Sequence, residues 1–435
     1  MQRDSFGSRF GALVVIAGSA VGLGNIWRFP YMAGTNGGAA FIILYLVFVA
    51  LICFPCMIAE LMIGRRSRSN APTSLRALAP GRRAWDLTGK LFIIIPILVL
   101  SYYCVIGGVT MEFFTRSLGM NPPSGNWSPV VWTAVFLLAT GLIVVFGVQK
   151  GIERFSKVMM PLLFIIVILI AIRALTLPVR PGAEYSAADG IAFLFRPDFS
   201  KIDGKTCLAA LGQAFFSLSL GSGVLMTYGS YIRPHDNLAK TAGQIAFFDL
   251  LFAIIAGCAI IPAVFALKDN PLAILSDNTD SALVFNILPD VFPQMPLGSL
   301  VGAFFFFALI LAALTSSISQ FEVPVSYLVE EKGLSRTVAC AAVFCIALVL
   351  GMACALRPKV MSAFDGLCAN WLMPLGGLIA LLFVGWVLTR GDLSDELSSG
   401  GTHKVGERFI AVLSFAIRYL APVGVIAVFL SQLFS

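Results

Sequence analysis

The residues that could do chemistry in this chain are polar groups set in apolar surroundings. Asp249 lies in Phe247-Phe248-Asp249-Leu250-Leu251, Glu60 and Glu322 fall inside two further apolar runs, and Asn25 and Arg28 sit in Gly18-Ser19-Ala20-Val21-Gly22-Leu23-Gly24-Asn25-Ile26-Trp27-Arg28-Phe29-Pro30. Ionisable and amide groups at membrane depth are expensive, and they persist there when paired, cation-bound or otherwise functional. That is the chemistry of binding rather than of bond cleavage. The two histidines, His235 and His403, fall in predicted loops. No nucleophile–base pair or metal cluster stands out, so an enzyme is not expected. Cys53 and Cys56 have the spacing of a redox or metal pair, but they lie mid-helix without a second pair at metal spacing. Like most of the nine cysteines, they read as small residues packing helices.

The elements that position these groups are membrane helices. Of the 435 residues 58% are hydrophobic and 12% charged, about half the charge of a soluble protein, and the mean hydropathy is +0.90. Apolar runs of about 20 residues recur, which is the transmembrane signature. Eleven spans are expected, at about 9–35, 39–64, 89–116, 129–147, 152–174, 206–231, 238–267, 297–329, 335–356, 361–389 and 407–433. The net charge of +7 does not imply nucleic-acid binding, because the basic residues gather in short loops. Arg65, Arg66, Arg68, Arg76, Arg82, Arg83 and Lys90 share one loop, and Lys150, Arg154, Lys157, Arg233 and Lys240 mark two more. The positive-inside rule puts these loops in the cytoplasm, with the N-terminus inside and the C-terminus outside. A cleaved signal peptide is not expected, since it would remove the most distinctive motif of the chain. The segments 175–205 and 268–296, rich in Pro, Asp and Asn, read as outer caps on one membrane domain.

Two spans are interrupted. Glycines, a serine and an asparagine weaken the first at 18–25, and Phe215-Phe216-Ser217-Leu218-Ser219-Leu220-Gly221-Ser222-Gly223 does the same to the sixth. Irregular backbone at membrane depth is tolerated only where it lines a cavity or is buried in protein. A matched pair of broken spans is the best sequence pointer to the midplane site of a secondary transporter. The plainer reading of each alone is a glycine-rich packing face.

Together with Gly34-Thr35-Asn36-Gly37-Gly38-Ala39-Ala40-Phe41, Ser101-Tyr102-Tyr103 and Ala313-Leu314-Thr315-Ser316-Ser317-Ile318-Ser319, these motifs make the chain resemble the neurotransmitter:sodium symporters over essentially its whole length. The resemblance implies an all-α membrane protein of 11 transmembrane helices. Spans 1–5 and 6–10 would form a 5+5 inverted repeat with broken helices 1 and 6, followed by one extra C-terminal helix. It implies Na⁺-coupled import in the bacterial inner membrane, with a small-molecule amino acid and the lipid bilayer as partners and no nucleic acid. The sequence does not fix the oligomeric state.

By the same resemblance, one Na⁺ is held by the Ala20 carbonyl, Asn25, Ser217 and Asp249 together with the substrate carboxylate. A second is held by the carbonyls of Gly18, Val21 and Ala312 with Thr315 and Ser316. These are oxygen donors, as a hard cation prefers. Asp249 replaces the commoner Asn, and its fixed charge is expected to make chloride unnecessary. Gly22 stands where monoamine transporters carry Asp, which favours an α-amino acid. Its carboxylate would lie at the half-helix N-terminus, near Ala20, Leu23, Gly24, Ser217 and Tyr103. Packing alone also accounts for Tyr102-Tyr103. The side-chain pocket is expected from Ser19, Val99, Phe216, Ser219, Ser222, Ser316 and Gln320. Ser222 and Gln320 take the places of Phe and Ile in the leucine-selective relative, which implies a roomier, more polar pocket for bulky neutral or aromatic amino acids.

Arg28 and Asp365 resemble the outer gate pair, with Phe216 as the lid. Arg3, Ser230, Tyr231 and Glu330 resemble the inner gate, Glu330 replacing the usual Asp. Gly151 and Pro161 match a spacing used to unwind the inner end of helix 5, although a loop glycine and a helix proline would look the same. Glu60 is expected to brace the second span against the first and sixth, and Glu322 has no assigned role. An amino-acid sensor of the same fold without transport is the alternative function.

Overall fold

A computed structural model describes residues 5–123, 125–179, 184–277, 283–295 and 297–434. All regular structure among them is helical. The first span is a broken pair, α1 (Arg9–Ala20) and α2 (Gly24–Thr35), bent by 48°. It is followed by α3 (Ala39–Ser67), α4 (Arg83–Ser117), α5 (Ser128–Val145) and α6 (Val148–Leu175). The sixth span is α7 (Gly204–Ser217) and α8 (Val224–Gly229). The remaining long helices are α9 (Leu238–Leu267), α10 (Gly298–Lys332), α11 (Arg336–Leu356), α12 (Pro358–Trp386) and α13 (Glu407–Ala427).

Among the described residues, nine helices are long and apolar enough to cross a membrane, and ten if α1 and α2 count as one span. The eleventh segment expected from the sequence is α7 plus α8. Neither piece is long enough by itself, because six residues between them leave the helix. The same polar and glycine residues that marked the segment as a site therefore divide it into two short helices.

Burial separates a core from a lipid-facing rim. The most apolar window of α10 is 83% buried and those of α4 and α9 are 72% buried, against 33–39% for α5, α6, α11 and α13. The exposed side chains on the rim helices are large and apolar, such as Leu138, Leu142, Leu169 and Val349, as contact with acyl chains requires. The central helices α4 and α10 pack along each other, and the two broken spans lie against them and α9.

Chain composition explains both breaks. In the first, Val21 ends α1 in extended backbone (φ −72°, ψ 93°). The chain re-enters through a π-helical turn over Gly24–Arg28, a form often found at functional sites. In the second, Ser219, Gly221 and Gly223 have φ of 53°, 75° and 81°. Gly221 also presses onto α12, where a Cβ would lie 1.7 Å from the Met373 carbonyl oxygen. Its N–H donates to Glu60 Oε1 at 2.7 Å, so Glu60 braces α3 against the sixth-span break.

Replacing Gly221 with alanine adds left-handed backbone strain of about 1–2 kcal/mol and forces the α12 contact apart. Gly221→Ala is expected to lower stability by on the order of 2 kcal/mol or more. This would read as a lower midpoint of thermal unfolding in detergent, and an unchanged midpoint would contradict the packing described.

Candidate functional site

A small polar cavity lies where the two breaks face α4 and α10. Ser19, Ala20, Gly22 and Gly24 come from the first span and Phe216, Ser217 and Ser219 from the sixth. Val99 and Tyr103 of α4, Ser316 and Gln320 of α10, and Met373 of α12 complete its lining. Its volume is about 20 Å³, room for about one water, so the conformation is contracted and an amino acid requires it to expand. A larger cavity of about 720 Å³ lies between the far ends of α4 and α10, lined by residues such as Phe113, Phe292 and Phe306. Its one cation, Arg116, is already paired with Glu112, so it lacks the convergent polar groups of a small-molecule site.

Hydrogen bonds tie the two breaks to each other. Ser219 Oγ donates to the Ser19 carbonyl at 2.8 Å, and Gln213 Nε2 donates to the Gly24 carbonyl at 3.2 Å. Asn25 makes the densest set. Its Nδ2 donates to Ser217 Oγ at 3.1 Å, the Asp249 carbonyl at 3.0 Å and Asp249 Oδ1 at 2.7 Å. Ser217 Oγ donates to Asp249 Oδ1 at 2.8 Å, and Asn25 Oδ1 accepts from the Gly22 N–H at 3.0 Å. Three oxygens thus converge on one donor with no solvent access, since Asn25 and Asp249 are fully buried. An oxygen-seeking cation fits this donor set, with the Asn25 amide turned to offer its oxygen. Ala20, from the same expected set, lines the adjoining cavity.

The second expected ion site is also brought together in part. Thr315 Oγ1 lies 3.0 Å from the Ala312 carbonyl and 3.4 Å from the Val21 carbonyl, which belongs to the other span. A Cβ on Gly18 would lie 3.5 Å from Thr315 Cβ. Ser316 turns the other way, with Oγ 3.5 Å from the Ser19 carbonyl.

At the end of the cavity formed by α2, the Leu23 N–H donates to Tyr103 Oη at 3.1 Å. A Cβ on Gly22 would lie 2.2 Å from Ser316 Oγ and 3.0 Å from Tyr103 Oη, so glycine is what keeps this end open. Leu23 is buried and is not among the residues lining the cavity, and it meets this end only through the N–H that bonds Tyr103.

Two expectations differ from the structure. Ser222 does not line the cavity, because its hydroxyl turns back to the Ser219 carbonyl at 3.0 Å and steadies the left-handed loop. Arg28 and Asp365 form no ion pair within 4 Å, because the Arg28 guanidinium lies over the Phe216 ring at 4.6 Å from its centroid. That contact is a cation–π one, and it places Arg28 directly on Phe216 at the edge of the cavity.

At the end carrying the basic loops, the Phe6 N–H donates to the Tyr231 carbonyl at 3.1 Å and its ring meets Tyr228 and Tyr231 edge-on. Arg68 donates to the Ser230 carbonyl at 3.1 Å. Glu330 accepts from Asn70 N and Nδ2 at 3.1 and 3.0 Å. Arg3 lies outside the described residues. Gly151 sits in a π-helical turn over Val148–Glu153, and Pro161 lies inside the helix that follows.

Two contributors, Tyr45 and Glu153, gave no usable sequence signal, and a third, Glu322, stood out in the sequence while its partners did not. Tyr45 donates to Asp249 Oδ2 at 2.8 Å, yet it sits in an uninterrupted apolar run. Glu153 accepts from the Gly7 N–H at 2.7 Å and from Ser8 Oγ at 3.2 Å, but its charged neighbours read as a solvated loop. Glu322 accepts from Tyr231 at 2.7 Å and pairs with Arg336 at 2.5 Å. Arg336 lies 14 residues beyond it, across the turn into α11, so spacing along one helix could not match them.

The model of the sodium:neurotransmitter symporter family matches residues 3–131 and 125–435. The chain belongs to that family. It is 36% identical to an uncharacterized sodium-dependent transporter of Bacillus subtilis (strain 168), YhdH, over 98% of this chain and 96% of the relative. It is 31% identical to an uncharacterized sodium-dependent transporter of Haemophilus influenzae, over 100% of this chain and 99% of that one. The structure of MhsT in complex with L-phenylalanine superposes with a TM-score of 0.87 at 39% identity, covering 99% of both chains. The symporter family is one of sodium-coupled transporters rather than enzymes, and the long apolar helices make this member a multi-pass membrane protein.

Tyr45→Phe removes one hydrogen bond to a buried carboxylate, an interaction of about 1.5–3 kcal/mol when the partner is charged. The variant is expected to melt at lower temperature and to need more sodium for half-maximal thermal protection. A sodium titration identical to wild type would separate Tyr45 from any cation held at Asp249.

Proposed function

We propose that the chain is a Na⁺-coupled symporter that imports bulky neutral or aromatic L-amino acids by alternating access. The observation that carries this reading is the Asn25–Ser217–Asp249 cluster, which joins the two broken spans beside a cavity ending at Tyr103 and the N-terminus of α2. That N-terminus favours a substrate carboxylate, and Gly22 leaves no counter-charge for a lone amine. The amino acid bound to the related MhsT agrees with this class. The orientation set by the basic loops puts the N-terminus in the cytoplasm of a bacterial inner membrane.

Two Na⁺ ions are assigned. One takes Ala20, Asn25, Ser217 and Asp249 with the substrate carboxylate, and the other takes Gly18, Val21, Ala312, Thr315 and Ser316. Ions and substrate then hold the same two broken helices, so amino-acid affinity depends on sodium and sodium affinity on the amino acid. The charge of Asp249 makes chloride unnecessary. Phe216, held by Arg28, is the outer lid, and Asp365 receives Arg28 in another stage of the cycle. Arg3, Ser230, Tyr231 and Glu330 close the inner side.

Sodium-dependent binding of the twenty amino acids to the purified protein is expected to favour large neutral ones, and strict selectivity for glycine or alanine would refute the pocket assignment. Asp249→Asn is expected to make transport chloride-responsive or to abolish it. Full activity without a chloride response in that variant would remove Asp249 from the charge balance.

A further inference from the structure

Arg418 is a cation without a protein acceptor on the outer surface of a membrane helix. It lies in α13, in a π-helical turn over Ala416–Leu420, and it is exposed. Among the described residues its guanidinium meets no carboxylate and donates no hydrogen bond. It stands instead over two rings, 4.4 Å from the Trp386 centroid and 5.7 Å from that of Tyr419. Both rings are themselves exposed, and they meet edge-on at 5.8 Å. The Trp386 indole N–H donates to the Arg418 carbonyl at 3.3 Å. A Cβ on Gly385 would lie 3.0 Å from Arg418 Cα, so glycine lets α12 and α13 close on each other and hold this trio in place.

Charge and position indicate what such a trio meets. An arginine facing acyl chains is costly unless it reaches an acceptor, and Trp and Tyr gather where hydrocarbon gives way to headgroups. The trio lies at the end of the molecule that carries the basic loops. There α12 ends at Trp386, and the short helix Arg390–Ser398 that follows pairs with Arg65 and Arg66 through Glu396 and Asp392. Lys404 and Arg408 make no ion pair among the described residues, whereas Glu407 is paired with Arg390 at 3.3 Å. The local balance is therefore positive. We propose that Arg418, held flat on Trp386 and Tyr419, binds the phosphate of an anionic phospholipid such as phosphatidylglycerol. A guanidinium matches phosphate oxygens with two parallel N–H donors, and basic recesses between membrane helices take anionic headgroups in this way. A second copy of the chain suits this face less well. Exposed side chains nearby on α13, such as Phe415 and Val423, are apolar. Glu407, the one acid of α13, stands about 16 Å along the helix from Arg418. This lipid site is independent of what the chain transports.

The test is thermal unfolding of the full chain in dodecyl maltoside, with dioleoylphosphatidylglycerol or dioleoylphosphatidylcholine added in steps. Phosphatidylglycerol is expected to raise the midpoint to a plateau at least about 2 °C above that reached with phosphatidylcholine. In Arg418→Gln the difference between the two lipids is expected to vanish, whatever the midpoint of the variant without lipid. Should that variant not fold, Arg418→Lys, which keeps the charge but not the flat fork, is expected to lose most of the difference. Equal plateaux for the two lipids in the wild type overturn the proposal. A preference for phosphatidylglycerol that survives unchanged in the variant overturns the assignment to Arg418. A lipid-independent dimer that Arg418→Gln dissociates, read by light scattering, gives this face to a second copy and overturns the proposal as well. Each of these outcomes leaves the transporter reading standing.

Discussion

A carboxylate with no access to water governs this architecture. Asp249 is fully buried on α9, and a lone charge at that depth is strongly disfavoured. Its neighbours answer this with donors from three other elements: Tyr45 of α3, Asn25 of α2 and Ser217 of α7. Asn25 and Ser217 come within reach because both spans that carry them are broken. A continuous helix would have spent its backbone polar groups internally. The breaks in turn need support, which comes from Glu60 on the Gly221 N–H and from close backbone contact with α12.

This arrangement makes the site a joint rather than a pocket in a rigid wall. The cluster, the Ser219–Ser19 bond and the Gln213–Gly24 bond all cross between the broken spans. Any ion or ligand placed among these groups changes how strongly the two spans hold together, which is the differential interaction that a ligand-driven conformational change requires. The long unbroken helices α4, α9 and α10 supply the fixed surfaces against which such a joint can work.

Much of this was legible in the sequence because membrane helices obey a simple length and polarity rule, and departures from it stand out. Gly18–Asn25, Ser217–Gly223 and Asp249 were such departures, and they meet in space. Side-chain direction was not legible. Ser222 belongs to the right motif but bonds its own loop, and Arg28 stacks on Phe216 instead of reaching Asp365. Each depends on a rotamer and a loop turn that residue type does not fix. Tyr45 and Met373 were hidden for the opposite reason: an aromatic or a methionine in an apolar run is indistinguishable from packing. The pairing of Glu322 with Arg336 spans a turn between helices and follows from tertiary geometry alone.

The central claim is that sodium and an amino acid share the joint between the broken spans, so that a sodium gradient drives the amino acid across the membrane. Uptake of labelled L-tyrosine and L-phenylalanine by proteoliposomes under an inward sodium gradient tests it most directly. At least one of them is predicted to accumulate above its external concentration and to leak back when the gradient is collapsed. Sodium-dependent binding without accumulation, or accumulation indifferent to the gradient, would contradict the account.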